Sequence, residues 1–436
     1  MLLEWQYLLP LALGLLIASL LIGLPIFIGF LLLNIFGVLV LLGPSGFGML
    51  ANSIYSSSSS ISLAAIPLFV LMGEILFRSG SVDILFDALG KLVGKLRGRL
   101  YYFVVVLSAV FGALSGSAIA VTAMLGKTAL KTMIQRGYDQ KLSASMILAG
   151  AALAPIIPPS TMAVVIGSVA DVSISKLLLA GIIPGLVIAC GYAVYIGVSI
   201  RLNPSLAPAN EFVENVSFRE KTFALIQCLP FATVIFSIMG FMLLGVATAT
   251  EAAATGVLAS LIVAACYRKL RWEMFIDSLK SAASVTAVLM VIVVSSTFYT
   301  QLLAFSGATS GLVNAITSLP IDGLMFTIGV LAITFVMCMF IDQIAYMLMV
   351  IPIVQPIMKS FGMDPVYFWC LFLIFISMGS NSPPFGYNLF TLYSVSENMT
   401  MKTIFNAGWI SVALIFAVTA VLLVFPQLIT FLPSLI

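Results

Sequence analysis

Pro155-Ile156-Ile157-Pro158-Pro159-Ser160-Thr161 breaks an apolar run over 142–170, and Gly379-Ser380-Asn381-Ser382-Pro383-Pro384 breaks another over 366–395. The second Pro-Pro pair follows the first by 225 residues, and the same offset carries Gly137-Tyr138-Asp139 onto Gly362-Met363-Asp364. Upstream the offset is 227, placing Gly29 on Gly256 and Phe77-Arg78-Ser79-Gly80 on Ala304-Phe305-Ser306-Gly307. Proline removes a backbone donor and frees the carbonyl one turn earlier. No water inside a bilayer satisfies that carbonyl, so a break there needs a purpose. Two broken apolar helices in matching positions mark the binding site of a transporter built from two repeats.

Composition agrees. The 436 residues are 62% hydrophobic and 8% charged, with a mean hydropathy of +1.20. Soluble domains carry about 25% charged residues, so this chain is integral to the lipid bilayer. A net charge of +3 is too small to point to nucleic acid. The chain has no histidine, which removes the usual general base, metal ligand and proton switch. Cys190, Cys228, Cys266, Cys338 and Cys370 lack CxxC spacing, so neither a disulfide nor a metal cluster is expected. With no paired catalytic carboxylates either, the chain does not read as an enzyme. Met1 to Tyr7 has no basic residue, and the apolar run from Leu8 to Leu42 reads as two spanning helices instead of a signal peptide.

Apolar segments run over 8–23, 25–43, 63–77, 142–170 and 177–200, then 223–245, 247–266, 282–305, 366–395 and 404–426. Five crossings per half is an odd number, so the second copy is inverted relative to the first. Two further segments, 101–126 and 324–358, read as re-entrant hairpins. On this count 17 of the 19 basic residues lie on one face, leaving Lys176 and Lys359 on the other. The basic face is cytoplasmic, and both termini fall on the opposite side. The predicted fold is an all-α polytopic membrane protein. Its first repeat is 1–200, its cytoplasmic linker 201–222 and its second repeat 223–436. Segment 82–99 alternates Leu85, Phe86, Leu89 and Leu92 with Asp83, Asp87 and Lys91, the pattern of a helical arm in the membrane interface. Its counterpart at 306–320 carries almost no charge.

The first hairpin turns at Ser115-Gly116-Ser117, and the 225 offset sets Ser117 against Asp342 in the second. A hydroxyl-rich tip facing a proline break offers carbonyls and hydroxyls to a small hard cation. Asp342 adds a charge that costs roughly 2.5–3.5 kcal/mol near mid-membrane unless it meets a partner or an ion, and sodium suits it. Helices that restart after the breaks, with Ser160 and Thr161 at one N-terminus and Asn381 and Ser382 capping the other ahead of Pro383, provide donors and partial positive charge for an anionic, carboxylate-bearing substrate. The plainer alternative is serines bonded to carbonyls one turn back and prolines acting as kinks. Finding two breaks and two polar tips in register favours the functional reading. Glu74 and Glu251 read as scaffold or subunit-interface residues, Glu251 beside the small residues Ala252, Ala253 and Ala254. The run Ser56 to Ser60 reads as a surface turn.

Ser115-Gly116-Ser117, Ile157-Pro158-Pro159-Ser160, Thr250-Glu251-Ala252-Ala253-Ala254-Thr255-Gly256 and Ser382-Pro383-Pro384-Phe385-Gly386 together resemble the large membrane subunit of tripartite ATP-independent periplasmic (TRAP) transporters. The family commonly has Thr-Pro-Pro where this chain has Ser382-Pro383-Pro384. The resemblance implies an elevator-type transporter of the bacterial inner membrane, driven by sodium as coupling ion and using no cofactor. It implies a separate small four-helix membrane subunit. It also implies a periplasmic substrate-binding protein that delivers an organic acid, sialic acid or a C4-dicarboxylate. Ser115, Gly116, Ser117, Pro158, Ser160 and Thr161 would form one sodium site, and Asp342, Gly379, Asn381 and Ser382 the second. Substrate would lie between them on Ser117, Ser160, Thr161, Asn381 and Ser382. A single-component divalent-anion/sodium symporter shares this plan and is the alternative.

Overall fold

A computed structural model describes residues 5–92, 96–208, 217–397 and 399–436, and these are helical with no strand. Among the described residues, six helical stretches are long and apolar enough to cross a membrane: Ile61–Arg78, Ile174–Leu202, Phe218–Leu243, Ala249–Cys266, Trp272–Phe305 and Met401–Val424.

The first half contains α1 (Trp5–Leu21), α2 (Ile26–Gly37), α3 (Gly46–Ser58), α4 (Ala65–Arg78) and α5 (Ser81–Leu92). It continues with α6 (Arg99–Ser115), α7 (Ala118–Leu125), α8 (Lys131–Gln135), α9 (Gln140–Ala151), α10 (Thr161–Val169), α11 (Ile174–Ala180) and α12 (Ile182–Leu202). The second half has α13 (Phe218–Leu243), α14 (Ala249–Cys266), α15 (Trp272–Phe305), α16 (Ala308–Thr317), α17 (Gly323–Cys338), α18 (Gln343–Ser360), α19 (Pro365–Gly379), α20 (Tyr387–Val395) and α21 (Met401–Val424).

Matching positions of the two halves start helices in the same way. The Asp139 carboxylate accepts from Leu142 N at 2.7 Å to open α9, and Asp364 accepts from Val366 N at 2.8 Å to open α19. Each supplies an acceptor to a helix N-terminus whose first N–H groups lack partners. Ser117 and Asp342 likewise cap α7 and α18.

The helices form two packed groups. In one, α4 lies against α14 and α15, α13 against α14 and α5, and α2 and α3 against α15. Small residues permit the close approach: a side chain on Gly256 would meet Ile238 Cδ1 and Met72 Sδ at 2.8 Å. In the other, α9 packs on α6 and α21, α17 on α19, and α20 on α7. The groups meet where α4 touches α6 and α10, and where α15 touches α18.

Several boundaries differ from the sequence reading. Serines 56–58 end α3 and do not form a turn, because the Ser56 hydroxyl donates back to Ser53 O at 3.1 Å and the helix packs on α15. The linker shortens to 203–217, since α13 starts at Phe218 behind a capping box of Ser217 and Glu220; residues 209–216 lie outside those described. Helix α7 continues through a π-helical turn at Gly126–Leu130 into α8 and ends at Gln135, beyond the expected limit of 126. Helix α15 begins at Trp272, ten residues early, and its 34 residues span about 51 Å, more than a bilayer core of about 30 Å. Its first turns carry Glu273, Asp277 and Lys280, and no charged residue follows them in the helix. The arm residues 93–95 fall outside the described segments.

Candidate functional site

The tip of the α6–α7 pair sits against the first break. Gly116 adopts φ +62°, a left-handed turn that favours glycine, and its N–H bonds to Gly112 O at 2.7 Å. A Cβ on Gly116 would stand 3.4 Å from Pro159 O and 3.5 Å from Thr161 N, so tip and break are in van der Waals contact. Ser115 Oγ accepts from Ser117 N, and Ser117 Oγ caps Ala120 N, both at 3.3 Å. The second tip makes the corresponding approach, with Gly379 backed against Cys338 at the end of α17. Both Pro-Pro peptides, Pro158-Pro159 and Pro383-Pro384, are cis.

A cavity of about 540 Å³ opens beside the first tip. Ser115, Gly116 and Ser117 line it with Pro155 and Thr161 of the first break. Opposite stand Gly73, Glu74 and Arg78 of α4 and Val285 and Leu289 of α15; Ile344 and Tyr387 reach in from the second half. Gly73 sets the gap, because a Cβ there would lie 3.2 Å from Leu114 O and 3.3 Å from Ser115 Cα and O. Glu74 and Arg78 are the charged residues of the lining, joined by a 2.7 Å bond from Arg78 Nε to Glu74 Oε2. The Tyr387 hydroxyl donates to Gln343 Oε1 at 2.5 Å, and Gln343 Nε2 donates to Ile376 O.

The sequence-predicted residues divide. Ser115, Gly116, Ser117 and Thr161 come together in the cavity wall. Ser160 is fully buried and caps α10, its Oγ accepting from Ala163 N at 3.2 Å, and Pro158 is buried behind it. Asp342 is exposed at the second tip, where Oδ1 accepts from Ile344 N at 3.0 Å and Ala345 N at 3.1 Å. Asn381 and Ser382 are fully buried away from the cavity. Asn381 Nδ2 donates to Leu148 O at 2.7 Å and to Ser411 Oγ at 3.1 Å, while Ser382 Oγ donates to Met378 O at 3.0 Å. The second helix restart also lies later than expected. It begins at Tyr387 after Gly386, not at Pro383, because Asn381 and Ser382 face inward and Gly386 N closes the turn on Ser382 O at 2.9 Å.

Glu74, read as a scaffold or interface residue, stands in the cavity wall. Glu251 is exposed and completes a capping box on α14, with Thr248 N donating to its Oε2 at 2.9 Å. Sequence reasoning missed Arg78, Tyr387 and Gly73 as site residues. The Glu–Arg pair at i, i+4 was a readable signal, since that spacing stacks two side chains on one helix face; the offset of 227 carries it onto Gln301 and Phe305, which have no charge.

Comparison with known proteins fits this architecture. Residues 13–428 match the family model for the tripartite ATP-independent periplasmic transporter, DctM component. A putative TRAP transporter large permease protein of Haemophilus influenzae is 33% identical, the match covering 88% of this chain and 89% of that one. A C4-dicarboxylate TRAP transporter large permease protein of Pseudomonas aeruginosa is 29% identical over 87% of this chain and 88% of its own. A sialic acid TRAP transporter large permease protein of Vibrio cholerae is 28% identical over 97% of both chains. The crystal structure of the Alcanivorax borkumensis YdaH transporter, described as having an unusual topology, superposes with a TM-score of 0.64 at 11% identity, covering 88% of this chain and 89% of that one, a likeness of fold alone. The chain belongs to the large permease component of the tripartite ATP-independent periplasmic transporters and is a multi-pass membrane protein.

Proposed function

We propose that this chain is the permease through which a sodium gradient drives import of an organic acid across a bacterial inner membrane. A periplasmic binding protein delivers the substrate, and a separate small membrane subunit completes the transporter. The observation that carries this reading is the cavity in which a hydroxyl-bearing tip, a proline break and one arginine converge. Arg78 presents a planar, permanently charged fork that matches a carboxylate, with Glu74 holding it until substrate arrives. Hydroxyls of Ser115, Ser117 and Thr161, with the Pro158–Ser160 backbone, hold one sodium ion beside it. Asp342 and the backbone around Gly379 hold a second, with Asn381 and Ser382 fixing that backbone from behind.

The two halves act as inverted repeats, with 101–126 and 324–358 as re-entrant hairpins and both termini periplasmic. The limbs α6 and α17 support this, because 17 and 16 residues reach about 26 and 24 Å, short of a bilayer core of about 30 Å. The hairpins and broken helices then move as one body against the group containing α4, α14 and α15, an elevator. Sialic acid and C4-dicarboxylates are the substrates to try first, since both present a carboxylate to Arg78.

Uptake of radiolabelled sialic acid and succinate into proteoliposomes tests this, with and without an inward sodium gradient, the small subunit and the binding protein. Uptake that needs every component is the expected result. Uptake by this chain alone would replace the tripartite reading with a single-component symporter.

A further inference from the structure

A second polar cavity, of about 330 Å³, lies away from the transport site, between the arm α5, the start of α6 and α8. Asp87 and Lys91 line it from α5, Arg99 from the first turn of α6, and Arg136 from the end of α8. Its floor is apolar, with Phe86 and Phe103 edge to face at 5.0 Å and Met133 alongside. Among the described lining residues, three cations and one carboxylate sum to a charge of +2. Cations brought together in a concavity repel one another and raise the local concentration of anions.

The corresponding junction of the second half serves as an internal comparison. There a cavity of about 480 Å³ separates the arm α16 from α17 and α18, and Leu312, Ile316, Met325 and Ile353 are among its apolar lining; among the described residues no charged one lines it. The repeat architecture therefore does not require charge at an arm–hairpin junction. The positive chamber also lies on the basic face of the chain, which the distribution of Lys and Arg makes cytoplasmic.

We propose that this chamber binds the phosphate headgroup of an anionic phospholipid. Lys91, Arg99 and Arg136 hold the phosphate oxygens, and the Phe86–Phe103 floor receives the glycerol and first methylenes of the acyl chains. A free phosphate shares the charge chemistry but makes no use of the apolar floor, so the lipid is the better occupant. Because the headgroup contacts the arm and the hairpin base together, it ties these two elements at the membrane surface.

The test uses the permease with its small subunit in vesicles of phosphatidylcholine with added phosphatidylglycerol, followed by native mass spectrometry of the lipid retained. The comparison is between wild type, the double variant Lys91→Gln/Arg136→Gln, and Lys280→Gln, which removes an exposed basic residue elsewhere in the chain. Each basic contact with an anionic lipid surface is worth about fivefold, so retention falls roughly 25-fold in the double variant. It stays unchanged in Lys280→Gln. Equal retention by wild type and the double variant, or equal loss in Lys280→Gln, overturns the proposal. A parallel arm adds inorganic phosphate to the complex in phosphatidylcholine alone. Thermal stabilisation there, with no phosphatidylglycerol retained in the first arm, overturns the lipid as occupant. Circular dichroism that is alike in all three proteins excludes misfolding as the cause of a loss.

Discussion

The two proline breaks share a register and a dipeptide, yet they do different work. The first, between α9 and α10, turns Pro155 and Thr161 toward the cavity beside the first tip. The second, between α19 and α20, turns its polar side chains inward. Ser380 Oγ donates to Ser377 O at 2.6 Å, and Asn388 Nδ2 donates to Ser380 Oγ at 3.0 Å and Asn381 Oδ1 at 2.9 Å. Two further inward bonds reach the residues before the first break: Asn381 Nδ2 donates to Leu148 O, and Ser377 Oγ to Ala152 O at 2.5 Å. The reason lies in composition. Residues 152–157, Ala-Leu-Ala-Pro-Ile-Ile, offer no side-chain donor and Pro155 offers no N–H, so Ser377 Oγ donates to Ala152 O, and Asn381 adds a second bond to Leu148 O, which also accepts from Ala152 N. The second break supplies the donors that the first lacks. One break lines the cavity, and the other is bonded inward against it.

The largest effect separating the breaks is expected from Asn381→Ala. It removes donors to Leu148 O and Ser411 Oγ and an acceptor for Asn388 Nδ2, all buried. Leu148 O keeps its bond from Ala152 N and Asn388 Nδ2 its bond to Ser380 Oγ, so the cost is that of three lost bonds at about 1 kcal/mol each, about 3 kcal/mol in total. The thermal unfolding midpoint in detergent reads it. Thr161→Val at the first break, half-exposed in the cavity wall, should unfold near wild type while losing uptake. An Asn381→Ala protein as stable as Thr161→Val would dissolve the distinction between site and support.

Next in size is Arg78→Gln. A charge-assisted bond to a carboxylate is worth about 1.5–3 kcal/mol, so KM should rise roughly 10- to 100-fold, with the unfolding midpoint unchanged because the Glu74 pair is half-exposed. Arg78→Lys keeps the charge without the fork and should fall between. An unchanged KM in Arg78→Gln would assign the arginine to helix packing and leave substrate binding to the tips alone.

How much of this was legible in the sequence follows from the kind of signal each part leaves. Helix breakers are local, so the breaks, the hairpin tip at Gly116 and the caps Ser117, Ser160, Asp342 and Asp364 are visible residue by residue. The offsets of 225 and 227 extend that reading to the pairing of the halves. Direction is not local. Ser382 and Thr161 look alike in sequence, yet one bonds back into its own helix and the other faces a cavity, and only packing against α9 and α21 decides which. Arg78 was obscured for a related reason: a basic residue at the end of an apolar helix reads first as a topology marker, and its second role appears once Ser115 lies across from it. The helix α3 was missed because serines weaken a helical pattern that tertiary packing on α15 restores.

The finest contrast is between the tips, where Ser117 and Asp342 occupy the same register and both cap a helix. A serine completes the first tip, so the carboxylate at the second is more than a cap requires. Asp342→Asn isolates the surplus, because asparagine caps about as well as aspartate and preserves an acceptor for Ile344 N and Ala345 N. Stability should move by no more than a few tenths of a kcal/mol, less than the roughly 1 kcal/mol expected when Ser117→Ala removes the cap of α7. If the second tip holds sodium, Asp342→Asn raises the sodium concentration for half-maximal uptake while Ser117→Ala shifts both sodium dependence and stability. If Asp342→Asn takes up substrate with an unaltered sodium dependence, the carboxylate is a cap alone, and the second half contributes support and no ion site.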